Sequence, residues 1–299
     1  MMVEFHPIQL SDRTWIGELF HLSQYRGSEY CFSNSYNWRK AYQIECTRLG
    51  NRALIRSDGG HGRNYLYPAG DGDLKEAILA MKADADKDGL PFRLNGVTDE
   101  MRDCLEENFP DAFEFSERRD QFDYIYSVDK LSSLSGKKLH GKRNHINRFL
   151  ETYDWRFEPL TLDNLPYAFE MNQQWKQIIA QEGEDNQSLD QEGEAVKSAF
   201  DHFTDLGLKG GLLIADGRPV AYTMGSPLTE DTFIVHIEKA FWDVPGAYPM
   251  INQQFVRYAC EGFTYVNRED DTGDEGLRKA KQSYYPDILL RKFHAVWRG

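Results

Sequence analysis

Apolar positions along the chain fall into two successive series with nearly the same rhythm. In the C-terminal half, WRFEPL (155–160) alternates with the period of two that marks a half-buried strand. LDNLPYAFEMNQQWKQIIAQ then carries apolar residues at helical spacing and predicts a helix from about Asp163, and DQEGEAVKSAFDHFTDLG predicts a second helix ending at Gly207. Three short apolar runs follow, GLLIAD, PVAYTMGSPL and TFIVHIEKA, separated by the turn signals DGRP and TED. They read as consecutive strands. PGAYPMINQQFVRYACEG reads as a helix, FTYVNRE as a short strand, DEGLRKAKQSY as a helix and DILLRKFHAVW as a final strand. The predicted order is β-α-α-β-β-β-α-β-α-β.

The N-terminal half gives almost the same order. VEFHPIQL reads as a strand, SDRTWIGELFHL as a capped helix, and Tyr36–Ala41 as a short helical piece. YQIECTRL, NRALIRSD and GRNYLYPAG read as three strands, DLKEAILAMKADA as a helix, LPFRLNGV as a strand, TDEMRDCLEENF as a helix and RDQFDYIYSV as the last strand. A repeated order within one chain predicts a duplicated fold of mixed α/β (α+β) class. Each unit is then a twisted mixed sheet flanked by helices. The boundary falls near Val128, giving domains 1–127 and 128–299, with a linking helix over 136–150.

Composition narrows the function classes. The chain has 299 residues, 40% hydrophobic and 13% aromatic, enough for two folded domains. The net charge of −13 excludes a global basic footprint for nucleic acid or anionic lipid, so any such contact is local. One local exception stands out. Lys130 to Leu150 contains no Asp or Glu and six Lys or Arg. On a helical wheel Leu139, Ile146, Phe149 and Leu150 form an apolar stripe, from which Lys137, Arg148 and His140 point away. Lys142 and Arg143 flank the stripe, where a charge must snorkel or find a partner. That partner is a carboxylate of either half, a donor phosphate or an acidic acceptor.

Cys31, Cys46, Cys104 and Cys260 are far apart and form no CxxC pair, which suits free thiols in a reducing compartment. The start MMVEFHPIQLSDRTW lacks a signal-peptide pattern, and no apolar run approaches the length of a membrane span. The expectation is a soluble, cytoplasmic protein with no membrane span. DADKDG, Asp84 to Gly89, matches the opening of a calcium loop, but position twelve is Asn95 rather than Glu, so a helix end with a Gly cap is expected. The histidines are scattered without HExxH, and no metal site is predicted. There is no GxGxxG, no Walker-type loop and no nucleophile elbow.

The element order resembles the GNAT acyltransferase fold in tandem. GKKLHGKRNHINRF, the GAYPMINQQF helix start, YVNREDDTGDEGLRKAKQSYYP and the early SEYCFSNSYNWRKAY resemble the phosphatidylglycerol lysyltransferase C-terminal-like family, and these motifs touch both halves. The resemblance implies a phosphate-bearing donor, acyl-CoA or aminoacyl-tRNA, and a small-molecule acceptor, with tRNA a candidate partner. Nothing in the pattern sets an oligomeric state.

Acyl transfer needs a base for the acceptor and a proton for the leaving group. In TFIVHIEKA, strict alternation puts His236 and Glu238 on one face about 7 Å apart. The resemblance implies a base on this strand; a solvated strand end is the other reading. Gly246 and Ala247, followed by Tyr248, start the next helix, where backbone N–H groups and the helix dipole can hold phosphate. The sequence there has one glycine where the family pattern has two, and a plain Pro-Gly turn is the other reading. The resemblance further implies that Asn267 faces the cofactor cleft and that Tyr284 or Tyr285 protonates the leaving group; core packing is the other reading for each tyrosine. Lys142 and Arg143 are candidates for the donor phosphates. The functional expectation is a GNAT-superfamily acyl- or aminoacyltransferase acting on an amine or hydroxyl. The alternative is a non-catalytic binding protein that keeps the cleft.

Overall fold

The structure, a computed structural model, describes residues 3–59, 62–181 and 186–298. The first series comprises β1 (His6–Pro7), α1 (Arg13–Ser23), α2 (Phe32–Asn37), β2 (Glu45–Leu49), β3 (Arg52–Ser57), β4 (Asn64–Leu66) and β5 (Ala69–Gly70). It continues through α3 (Leu74–Lys87), β6 (Arg93–Val97), α4 (Asp99–Asn108), β7 (Phe113–Glu117) and β8 (Asp123–Ser127). After α5 (Val128–Ser133), the basic stretch forms a turn of 3-10 helix and α6 (His140–Thr152). The second series is β9 (Trp155–Pro159), α7 (Leu165–Gln181), α8 (Asn186–Asp201), β10 (Lys209–Ala215), β11 (Arg218–Pro227) and β12 (Thr232–Ala240). It ends with α9 (Ala247–Ala259), β13 (Tyr265–Asn267), α10 (Glu275–Gln282), β14 (Ile288–Leu290) and β15 (Phe293–Trp297).

Local chemistry sets the element ends. The Asp73 carboxylate accepts the Glu76 N–H at 2.9 Å and starts α3, and Gly89, at φ +66°, follows its last turn. The calcium-like DADKDG is thus the end of a helix. Thr98 caps α4 in the same way as Asp73 caps α3. Leu139 in the turn before α6, and Ile146 and Phe149 of α6, are buried as the wheel predicts, but Leu150 is 42% exposed. The apolar stripe is therefore narrower than the sequence suggests.

The chain forms two compact units, one of residues 1–123, 270–278 and 289–299, the other of 124–269 and 279–288. A single cut near Val128 is expected from sequence; the chain instead crosses between units several times. The reason lies in strand pairing. The first sheet runs β1-β2-β3-β4-β6-β15-β7, with β5 beside β3, so the last strand of the chain lies between β6 and β7. Phe293 and Ala295 of β15 are buried there. The second sheet runs β14-β8-β13-β12-β11-β10-β9, and β8 takes the place beside β13. An apolar strand set between two others leaves none of its backbone groups on an open edge.

In the N-terminal unit Lys292 is fully buried, and its ammonium lies 2.8 Å from both Asp123 Oδ1 and Glu29 Oε1. Burial opposes its charge, but the two carboxylates outweigh that and hold its pKa above the ordinary lysine value. Burial in turn raises the Glu29 carboxyl.

In the C-terminal unit the central strands β10 and β11 are almost continuously buried. They have helices on both faces, which is why they read as unbroken apolar runs. On one face of the sheet Phe255 of α9 meets Phe233 of the adjacent β12 with ring centres 5.9 Å apart; on the other Phe200 of α8 meets Tyr222 of β11 at 5.5 Å. The Tyr222 hydroxyl donates to Asn172 Oδ1 at 2.8 Å, so the buried phenol is satisfied.

Candidate active site

Strand β12 carries the expected site residues, but not with strict alternation. The β11–β12 register slips between Met224 and Gly225: Met224 opposes Ile237 and Gly225 opposes Val235, so His236 is the extra residue of a bulge. A Cβ on Gly225 would lie 2.2 Å from the Ile234 carbonyl oxygen, so this close approach needs glycine. His236 and Glu238 then take different partners. His236 Nε2 lies 3.0 Å from Ser226 Oγ, and its Nδ1 lies 2.9 Å from Glu269 Oε1. Hydroxyl, imidazole and carboxylate form a hydrogen-bonded series. Ser226 is only 5% exposed, so its hydroxyl is not presented as an open nucleophile.

On its other side β12 pairs with β13 in parallel only over Thr232–Ile234 and Tyr265–Asn267. Glu238 lies four residues beyond the end of this pairing. Its Oε1 accepts from Arg268 Nη2 at 2.7 Å, and its Oε2 accepts from Asn252 Nδ2 of α9 at 2.9 Å. The pair is largely buried, with side-chain exposures of 12% for Arg268 and 11% for Glu238. Two polar atoms of this group, Arg268 Nη1 and Asn252 Oδ1, are buried without a hydrogen-bond partner. Such orphaned atoms are uncommon and costly in a finished core.

Further cations gather around the pair. The Lys142 ammonium lies 4.2 Å from the Tyr284 ring centre, and the Arg268 guanidinium carbon lies 5.0 Å from the same ring. Burial lowers the Lys142 pKa, and the Arg268 charge lowers it further. Burial works against the Arg268 charge too, but Glu238 and the neighbouring tyrosines keep its pKa raised. Burial pushes the Tyr284 phenol well up, so it stays protonated. Lys281 Nζ donates to the Arg268 carbonyl at 2.7 Å and fixes its backbone. Two cations, Arg268 and Lys142, thus stand with the Glu238 carboxylate, which suits an anionic group or a developing oxyanion.

Other expected residues are held elsewhere. Gly246, at φ +92°, sits where an added Cβ would be 2.5 Å from the His145 carbonyl oxygen of α6. The glycine lets α9 approach α6. The Ala247 N–H donates to the Val244 carbonyl, and Pro249 has no N–H. The start of α9 therefore differs from the expected phosphate cradle, because its first turn offers few free donors. Tyr248 on that turn is 39% exposed. Asn267 is fully buried, and its Oδ1 accepts the Glu269 N–H at 2.7 Å across a turn with Glu269 at φ +55°. Arg143 donates to the carbonyls of Leu134 and Gly136, and so caps the segment before α6. Tyr285 is 45% exposed; the Lys138 ammonium lies 5.1 Å from its ring, and Lys130 Nζ donates to its carbonyl. Glu238, Lys142 and Tyr284 are thus brought together, with Arg268 and Asn252 added. The sequence signal for Arg268 is its place directly after the β13 strand end. Within the N-terminal unit, a hollow of about 620 Å³ is lined by residues that include Arg39, Lys40 and Arg56.

Comparison with known proteins gives the family and the fold. The family described as "Phosphatidylglycerol lysyltransferase, C-terminal" matches residues 20–296, and the chain belongs to that family. A conserved protein of unknown function from Bacteroides thetaiotaomicron VPI-5482 is 38% identical, with a TM-score of 0.94 over 99% of this chain and 100% of that one. L-PGS from Bacillus licheniformis is 16% identical, with a TM-score of 0.66 over 100% of this chain and 95% of that one. A tandem GNAT protein from the clavulanic acid biosynthesis pathway is 10% identical, with a TM-score of 0.51 over 98% of this chain and 97% of that one. The fold is therefore of the tandem GNAT-like kind, with two mixed sheets flanked by helices. An uncharacterised protein of Mycoplasmoides gallisepticum (strain R(low / passage 15 / clone 2)) is 23% identical over 57% of this chain, and the match spans about half, 54%, of that relative. Among the described residues no helix is long and apolar enough to cross a membrane.

Proposed function

We propose that the C-terminal unit is a group-transfer centre that moves an aminoacyl group from an aminoacyl-tRNA ester to an amine or hydroxyl acceptor. The observation that carries this reading is the Arg268–Glu238 pair beyond the end of the β12–β13 pairing, with Arg268 Nη1 and Asn252 Oδ1 unpartnered. Family and fold support the wider class of GNAT-like acyl and aminoacyl transferases. Within that class the start of α9 favours aminoacyl-tRNA over acyl-CoA. The Ala247 N–H is already bonded and Pro249 has none, so a pyrophosphate finds little backbone grip there.

In this reaction the acceptor nitrogen or oxygen attacks the ester carbonyl. The Glu238 carboxylate takes the acceptor's proton, and Arg268 Nη1–H donates to the oxyanion that develops. Lys142, set against the terminal phosphate of the donor, returns a proton to the departing ribose oxygen. The ester C–O bond breaks and a C–N or C–O bond forms, with no redox change. A second reading, a binding module without turnover, draws on the ion pair that already occupies Glu238. The test offers labelled aminoacyl-tRNA and labelled acyl-CoA in parallel to the purified protein with a panel of amines, amino acids and lipids. Transfer from the aminoacyl ester supports the proposal. Transfer from acyl-CoA alone, or binding of both donors without transfer, overturns it.

A further inference from the structure

Far from this centre in sequence, the N-terminal unit brings together three metal-ligating side chains that no spacing motif links. His6 lies on β1, Asp12 in the 3-10 turn before α1, and Cys46 on β2, where it is the register partner of His6. Their ligand atoms all lie within 4.8 Å of one another. His6 Nε2 is 3.2 Å from Asp12 Oδ1 and 3.3 Å from Oδ2; Cys46 Sγ is 3.5 Å from His6 Nε2 and 3.5 Å from Asp12 Oδ2.

These separations can be compared with those that a tetrahedral ion imposes. Zinc bonds of about 2.0–2.1 Å to nitrogen, about 2.0–2.2 Å to oxygen and about 2.3 Å to sulfur, opened at the tetrahedral angle, put nitrogen and oxygen about 3.3–3.5 Å apart and sulfur about 3.5–3.7 Å from each. The triangle lies at the short end of those dimensions, within about 0.1 Å, before any ion enters. The carboxylate is also oriented from behind: Asp12 Oδ1 accepts the Trp15 indole N–H at 3.0 Å, and Oδ2 accepts the Gln9 N–H at 2.8 Å. Such outer donors are what fix metal-bound carboxylates. Cys46 is fully buried and Asp12 is 7% exposed, while the His6 side chain is 47% exposed. An ion would enter from the His6 side and keep a fourth position open to water or a small ligand.

We infer that His6, Asp12 and Cys46 form a site for one divalent transition-metal ion of the zinc class, distinct from the group-transfer centre. Thiolate, imidazole and carboxylate together suit zinc or cobalt and disfavour the hard ions magnesium and calcium. On binding, the Cys46 thiol proton passes to solvent, and the neutral His6 carries its remaining proton on Nδ1, leaving Nε2 for the metal.

The test strips the full-length protein with chelator and titrates it with cobalt(II) alone. The expected result is a thiolate-to-cobalt charge-transfer band that saturates at one ion per chain and is displaced by zinc but not by magnesium. The charge-transfer band should vanish in Cys46→Ser. In His6→Ala, whose side chain is exposed enough to remove without unfolding the protein, affinity should fall at least tenfold. Zinc should raise the melting temperature of the wild type and leave that of His6→Ala unmoved. No charge-transfer band at stoichiometric cobalt, or unchanged affinity in His6→Ala, would overturn the assignment, and the triangle would then be a hydrogen-bonded cap for the following turn.

Discussion

Arg268 places Nη2 2.7 Å from Glu238 Oε1 while its Nη1 is buried with no hydrogen-bond partner. A guanidinium that spends only part of its donor set on its counter-ion is poised to meet a second anion. Glu238→Gln keeps the shape of the site and the hydrogen bond from Asn252, but strands the buried Arg268 charge. Denaturant unfolding should show a loss of about 3–5 kcal/mol, as for a broken buried pair. Transfer should fall by about a hundredfold or more from the loss of the base. Unchanged stability would mean that the pair is solvated.

Lys142 and Arg143 are neighbours in sequence with different surroundings. Lys142→Gln should reduce the slope of log affinity against log salt for tRNA by about 0.7, the contribution of one phosphate contact on a single strand. Arg143→Gln should leave that slope alone and cost about 1 kcal/mol of stability through the lost carbonyl contacts. Salt-titrated binding together with thermal melting separates the two. Equal slopes in wild type and Lys142→Gln would take α6 out of the donor site.

Gly246→Ala tests whether the start of α9 holds phosphate or packs on α6. The added Cβ meets the His145 carbonyl at 2.5 Å, on a backbone at φ +92°. Stability should fall by about 1–3 kcal/mol or more, while donor affinity measured on the folded fraction stays the same. A selective loss of affinity for a phosphate-bearing donor would restore the glycine to a binding role.

Much of the fold is legible in the sequence, because β10 and β11 are unbroken apolar runs and the helices carry clear caps. The destination of β15 is not, since FHAVW reads the same whether it joins the near sheet or the distant one. FEFSE of β7 passes unread because three of its five residues are exposed and two are acidic. At the site, alternation brings out Glu238 but misplaces His236, as a bulge shifts the count; the signal lies on the partner strand, in Gly225. Arg268 is hidden among the acidic residues that follow it. His6, Asp12 and Cys46 come together only through strand pairing.

Lys292 offers a pH test of the N-terminal unit. Its folded pKa is raised above the unfolded value of about 10.4. Its contribution is therefore full below that value and lost as pH rises toward the folded one. Wild-type stability should fall in this alkaline window by more than that of Lys292→Met. At neutral pH that variant should be less stable by about 3–5 kcal/mol, because Asp123 and Glu29 lose their counter-ion. A wild type and variant with the same alkaline profile would contradict the buried triad.

The most direct test of the central claim is single-turnover transfer of a labelled amino acid from aminoacyl-tRNA, comparing the wild type with Arg268→Gln at saturating donor. The account predicts that the wild type passes label to an amine or hydroxyl acceptor, and that Arg268→Gln binds the donor but transfers at least about a hundredfold more slowly, the cost of losing an oxyanion donor. Equal rates in the two proteins, or no transfer by a wild type that binds the donor, would contradict it.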